Sequence, residues 1–138
     1  MKEKRNFLLV AIVLFLTFNS IEAQFIKEGP QMNITETTYD FGTVKQNTRI
    51  SRSFKFINDG TEPLIIKQVK NSDVCTVVKY PKKAIKPGKT GKITVNCILK
   101  EVASEDELIG IMTNAVNGSK GQKTGVFELQ IKGVVKSK

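Results

Sequence analysis

The sequence predicts an all-β protein, with seven or eight short strands forming two antiparallel sheets stacked face to face. Three observations carry this. Beyond Gln24, apolar residues recur at every second position in separated runs. Turn chemistry lies between the runs, and neither heptads nor a sustained helical period appears anywhere in them. A period of two is the signature of strands that turn one face to a core and the other to water.

The first segment reads as an address. Lys2, Lys4 and Arg5 precede a continuous apolar run from Phe7 to Phe18, and Ala23 offers a small residue at a cleavage position. A basic start, a short apolar middle and a small residue at the cut describe a secretory signal peptide. The run falls well short of the roughly 20 residues that cross a bilayer, so no transmembrane anchor is expected after cleavage. No cysteine follows it directly, which argues against a lipid anchor. The expected organisation is a signal peptide at 1–23, a flexible leader at 24–31 and one domain at 32–138, periplasmic or secreted. The net charge of +9 falls to +8 when 1–23, with three basic and two acidic residues, is removed. Such a balance suits an anionic partner, and equally a small soluble exported domain.

The strands are placed at about 32–39, 42–45, 48–57, 63–70, 75–79, 91–99, 108–115 and 126–135. In "TRISRSFKFIND" the inward set is Ile50, Phe54 and Phe56, and Arg52 breaks the phase and belongs near a rim. In "GKITVNCILK" it is Ile93, Val95, Cys97 and Leu99; in "VFELQIKGVV" it is Phe127, Leu129, Ile131 and Val135. "NDGTEP" at 58–63, "KPGK" at 86–89 and "NGSKGQKTG" at 117–125 separate the runs. Glycine permits positive φ in such turns, and proline presets its own φ and removes a donor. One helical turn is expected at "ASEDEL", where Ser104 would cap acidic residues.

The ordered set "YDFGTV" (39–44), "FKFINDGTEPLII" (54–66), "CTV" (75–77), "IKPGKTGKITV" (85–95), "TNA" (113–115) and "IKGVV" (131–135) resembles domain of unknown function fifteen-seventy-three. This is a family of secreted bacterial immunoglobulin-like domains. The resemblance covers about residues 33–135 and implies an immunoglobulin-like sandwich of the major-sperm-protein and PapD type. It implies no activity. On the residues themselves, Gly42 suits a sharp bend after Phe41, and Asp40 an acceptor for backbone N–H groups there. Asn58 and Gly60 form a hairpin, and Pro87 and Gly88 fix the turn that starts the strand carrying Cys97.

Family members typically carry Ser-Cys-Gly-Cys-Thr where this chain has Ser72, Asp73, Val74, Cys75 and Thr76. The close pair that would invite dithiol or metal chemistry is therefore missing. Three readings of Cys75 and Cys97 stay open. They form a disulfide between two strands of the sandwich, as an oxidising compartment favours; they are unpaired thiols, with Cys97 a small core residue; or Cys75 is exposed and reactive.

Lys79, Lys82, Lys83, Lys86, Lys89 and Lys92 crowd one turn-rich segment in which Pro81, Pro87 and Gly88 forbid a helix. They form either a patch for an anionic partner or a solvated loop that discourages edge pairing. Only Tyr80 interleaves with them, whereas binders of single-stranded nucleic acid stack bases on several aromatics; a nucleic-acid partner is not expected. The chain has no histidine, which removes the Ser-His dyad, the His zinc ligand and the imidazole acid or base. Glu105, Asp106 and Glu107 lack the alternating ligand spacing of a calcium loop. Asn33-Ile34-Thr35 and Asn117-Gly118-Ser119 match the glycosylation pattern by chance in a bacterial protein. No catalytic residue, metal or cofactor is expected. The leading expectation is an exported, non-enzymatic module that contacts an unknown protein or cell-envelope component; the alternative is a redox-linked envelope protein using Cys75.

Overall fold

Alternation along the chain does build two sheets. The computed structural model describes residues 28–138; the expected signal peptide and residues 24–27 of the leader lie outside the described residues. Eight strands follow in order: β1 (Met32–Ile34), β2 (Thr38–Lys45), β3 (Thr48–Asn58), β4 (Ile66–Lys70), β5 (Cys75–Lys79), β6 (Thr90–Leu99), β7 (Ser104–Thr113) and β8 (Val126–Lys136). One sheet has the order β1-β3-β6-β5 and the other β2-β8-β7-β4.

The inward residues of the three strongest runs are the core. Phe54, Phe56, Ile93, Val95, Cys97, Leu99, Phe127, Leu129, Ile131 and Val135 are buried, joined by Leu64, Ile109 and Ile111. Ile50 packs against them only partly buried. Arg52 shares their phase, yet its side chain reaches out of the sandwich to Glu36, with Nη2 3.0 Å from Oε2. Its guanidinium lies 4.7 Å from the Tyr39 ring centroid, the stacking that a planar cation makes on an aromatic face.

Four features differ from the sequence-based expectation. The strand expected over 32–39 is split. Thr35 still donates to the Lys55 carbonyl of the first sheet at 3.3 Å, while the Thr37 carbonyl accepts from Gln130 of the second at 2.8 Å. The chain thus changes sheets through the exposed Thr35–Glu36–Thr37. The piece expected at 42–45 is the second half of β2, set off by a register break between Asp40 and Thr43. There the Gly42 backbone has φ of 71°, a left-handed conformation that glycine adopts without steric cost. Its N–H donates to Asp40 Oδ1 at 2.8 Å, as expected of that aspartate. Next, β2 pairs with β8 in parallel, so the sheets are not wholly antiparallel.

Third, no helical turn forms at "ASEDEL": Ser104 to Leu108 begin β7 and pair with Gln130 to Val134 of β8. The ladder offered by β8 satisfies alternate backbone groups along the strand, which outweighs one side-chain cap. Fourth, the leader is anchored where it is described. Gly29 N–H donates to Thr61 Oγ1 at 2.8 Å, and the Gly29, Pro30 and Gln31 carbonyls accept from Thr61, Val116 and Asp59.

Asn58 ties the loops at that end. It is fully buried. Its Nδ2 donates to the Glu62 and Ile85 carbonyls, both at 2.8 Å, and its Oδ1 accepts from Gly60 at 3.0 Å and Gln31 at 3.3 Å. A buried amide with every bond made stabilises its surroundings, whereas one left half-satisfied costs free energy.

Candidate functional site

Cys75 and Cys97 face each other in the register of β5 and β6. Ile98 donates to the Val74 carbonyl at 3.2 Å, so residues 74 and 98 are a hydrogen-bonded pair. The cysteines next to them occupy a non-hydrogen-bonded position, where side chains approach most closely. Their Cα atoms are 4.1 Å apart and the sulfurs are bonded. Of the three readings, the disulfide is the one observed. It joins neighbours within one sheet rather than spanning the two. Both residues are buried in the core, and no free cysteine exists among the described residues.

The six lysines are all exposed. Lys82 Nζ lies 3.5 Å from the Tyr80 ring centroid, and the Lys89 N–H closes a turn onto the Lys86 carbonyl at 3.0 Å. Lys92 stands directly opposite Lys55 of β3. Pairing of β3 with β6 therefore adds Lys55 to the patch; nothing in the local sequence of either strand signals that neighbour.

Acidic residues gather at the other end of β6. Asp73, Glu101, Glu105 and Glu107 line a concavity of about 780 Å³ together with Val78 and Ile98. Burial pushes the Glu105 carboxyl above its ordinary range, helped by the charge and hydrogen bond of Glu107 and by Glu101. Among the described residues, no group of three His, Cys, Asp or Glu side chains is placed to hold a metal ion.

The sheet edges carry the clearest chemistry. At β1, Met32 turns its backbone outward, and the Asn117 side chain meets it. Asn117 Oδ1 accepts from the Met32 N–H at 3.0 Å, and its Nδ2 donates to the Met32 carbonyl at 2.9 Å. The Asn117 sequon residue is thus a structural cap. At β5 the preceding loop does the same work. Ser72 donates its N–H to the Cys75 carbonyl at 3.0 Å, its Oγ accepts from Cys75 at 2.9 Å, and Asn71 Oδ1 accepts from Val77 at 2.8 Å. At β2 the edge is bent at Gly42, and the seam behind it is closed by Arg52 over Tyr39 and against Glu36.

The β4 edge differs. Thr113 donates to the Gly125 carbonyl at 2.8 Å, which directs the backbone of Thr113 and Ile111 toward β8. Gly110 and Met112 therefore face β4, where they pair with Lys70 and Gln68. Val69, between those two, must point its N–H and C=O out of the sheet. Among the described residues, no side chain or loop bonds to it there. Asn114 caps only the entry to the strand, where Oδ1 accepts from Ile65 at 2.7 Å. Behind the edge, Val69, Val77 and Tyr80 pack partly buried against the core, and Ile65 and Val78 are exposed.

A family model described as "Protein of unknown function (DUF1573)" matches residues 32–135. The chain belongs to the DUF1573 family. Among solved structures, this DUF1573 chain is similar to a protein of unknown function from Porphyromonas gingivalis W83. The TM-score is 0.61 at 18% identity, over 83% of this chain and 51% of that one. It is similar also to the VesB protease of Vibrio cholerae, with a TM-score of 0.60 at 12% identity over 75% of this chain and 32% of that one. The PapD-like domain 7 of human CEP192 has a TM-score of 0.58 at 10% identity, over 78% of this chain and 87% of that one. The DUF1573 chain thus spans about half of the first protein and a third of the second. At these identities the likeness is one of fold, and the fold is the immunoglobulin-like sandwich of PapD-like domains. No curated protein matches the sequence significantly.

Proposed function

We propose that this DUF1573 protein is an exported, non-enzymatic binding module that takes an extended segment of a protein or cell-envelope partner along a sheet edge. The observation that carries this reading is the unequal treatment of the edges. Asn117 caps the outward Met32 of β1 and Asn71 with Ser72 caps Cys75 and Val77 of β5, whereas the outward Val69 of β4 has no such cap and lies beside partly buried apolar residues. Folded proteins blunt exposed edges because unpaired N–H and C=O groups template pairing with other chains. An edge with an uncapped outward residue is fit for strand addition, in which main-chain bonds supply affinity and alternate side chains supply selectivity. The basic start and short apolar run before Gln24 support export.

A redox role for Cys75 has less support, since its sulfur is bonded and shielded from solvent, and thiol exchange requires access. Site-specific photo-crosslinking in the native host tests the binding reading. A crosslinker at Gln68 on β4 is expected to trap a discrete partner, and one at Asn33 on β1 or Thr76 on β5 to trap none. Equal labelling from all three positions, or retention of the chain in the cytoplasm, contradicts the proposal.

A further inference from the structure

The charges around the open edge specify what it takes. We infer that the partner segment at β4 is an extended peptide in which acidic residues alternate with apolar ones, an inference that rests on the strand-addition reading above. A strand laid beside β4 sends successive side chains to opposite faces. On the inner face they cover the seam where Val69, Val77 and Tyr80 are only partly buried. Apolar side chains belong there, because each square ångström of apolar surface removed from water is favourable.

On the outer face they lie beside β4, whose exposed charged residues are Lys67 and Lys70. Lys79, at the end of β5, and Lys82 and Lys83 beyond it are exposed as well. Cross-strand neighbours sit about 5 Å apart, within reach of an ion pair, and like charges there repel. Carboxylates therefore fit and ammonium groups do not. The acidic stretch is bounded: Asp73 follows β4 by three residues, and Glu105 and Glu107 occupy the part of β7 beyond Lys70. This also reconciles the two roles open to strand-edge lysines. They discourage neutral or basic strands, including the edges of other copies of this chain, while an acidic strand is admitted.

The test uses the domain from Gln24 onward, isotope-labelled, with three synthetic eight-residue peptides that alternate valine with glutamate, serine or lysine. The glutamate peptide is expected to bind most tightly, to slow hydrogen exchange at the Val69 amide, and to weaken as salt is raised. Reversing Lys67→Glu together with Lys70→Glu should cut its affinity about tenfold, two exposed ion pairs being lost. The pair Lys120→Glu and Lys123→Glu, outside this edge, should leave it unchanged. Val69→Pro should abolish binding of the peptide, since proline removes the outward donor at a position where an edge strand tolerates it. If that variant does not fold, the charge-reversed pair decides alone. Binding of the lysine or serine peptide at Val69 with equal affinity overturns the acidic chemistry and leaves the edge standing. Failure of every peptide to slow exchange at Val69 removes the edge reading and this inference together.

Discussion

Asn117 sits against Met32 as a neighbouring strand would, giving one N–H and taking another through a single amide at 2.9 and 3.0 Å. The two residues are 85 positions apart, so the contact fastens the loop before β8 to the first strand of the domain. Replacing Asn117 by alanine exposes both groups and is expected to cost about 1–2 kcal/mol, the scale of paired hydrogen bonds to a buried segment. Urea unfolding measures the loss. Analytical ultracentrifugation of the same variant should show more self-association, because a second edge is then open.

The disulfide closes a loop of 22 positions. Chain-entropy reasoning values such a link at roughly 3 kcal/mol. The double variant Cys75→Ala, Cys97→Ala should therefore keep its β-rich circular dichroism while its urea midpoint falls. Thiol titration of the exported protein should find no free thiol, native or unfolded.

Asn58 gathers four side-chain hydrogen bonds in a site sealed from water. Asn58→Ala leaves the Ile85 and Glu62 carbonyls without that donor. Stability is expected to fall by about 2–4 kcal/mol, each buried unsatisfied group costing about 1–3 kcal/mol. Thermal unfolding monitored by circular dichroism checks it. A loss within experimental error would mean that these loops hold together without the amide.

Gly133 lies under the Phe41 ring, which occupies the space a Cβ would need. Gly133→Val should displace Phe41 and destabilise by about 1–3 kcal/mol, the usual cost of overpacking. Combining it with Phe41→Ala should recover part of the loss, which separates a steric clash from an effect of valine on β8 itself.

Glu105 yields a pH dependence. Its carboxyl is held above the ordinary range, first by burial and then by Glu107 and Glu101. The folded protein therefore binds this proton more tightly than the unfolded chain does. The protonated form's contribution is complete below the unfolded pKa and is lost as pH rises through the folded one. Glu105→Gln should thus raise the thermal midpoint modestly at pH 7, and the advantage should vanish below the ordinary glutamate range.

Much of this fold is written in the alternation of single strands. Ile93, Val95, Cys97 and Leu99 share a face because strand geometry leaves no other option, and the core contains all four. Relations between strands are far less legible. The change of sheet at Thr35–Thr37 and the parallel pairing of β2 depend on where β8 lies, with Gln130 92 positions beyond Thr38, and the conversion of "ASEDEL" into β7 depends on β8 as well. Arg52 looks like an interruption in sequence, yet it closes a seam because Tyr39 and Glu36 are brought to it. The edge caps were hidden for the same reason. Asn71, Ser72 and Asn117 read as ordinary turn residues until their partners are known. The lysines from Lys79 to Lys92 stand out in the sequence, whereas Lys67 and Lys70 take their meaning from the β4 backbone, which the sequence does not show.

Native-state hydrogen exchange, residue by residue, on the domain without any partner tests the unequal edges most directly. Slow exchange is expected at the Met32, Cys75 and Val77 amides, which Asn117, Ser72 and Asn71 bond, and rapid exchange at Val69. Protection of Val69 equal to that of Cys75 would contradict this, since β4 would then be capped as β5 is.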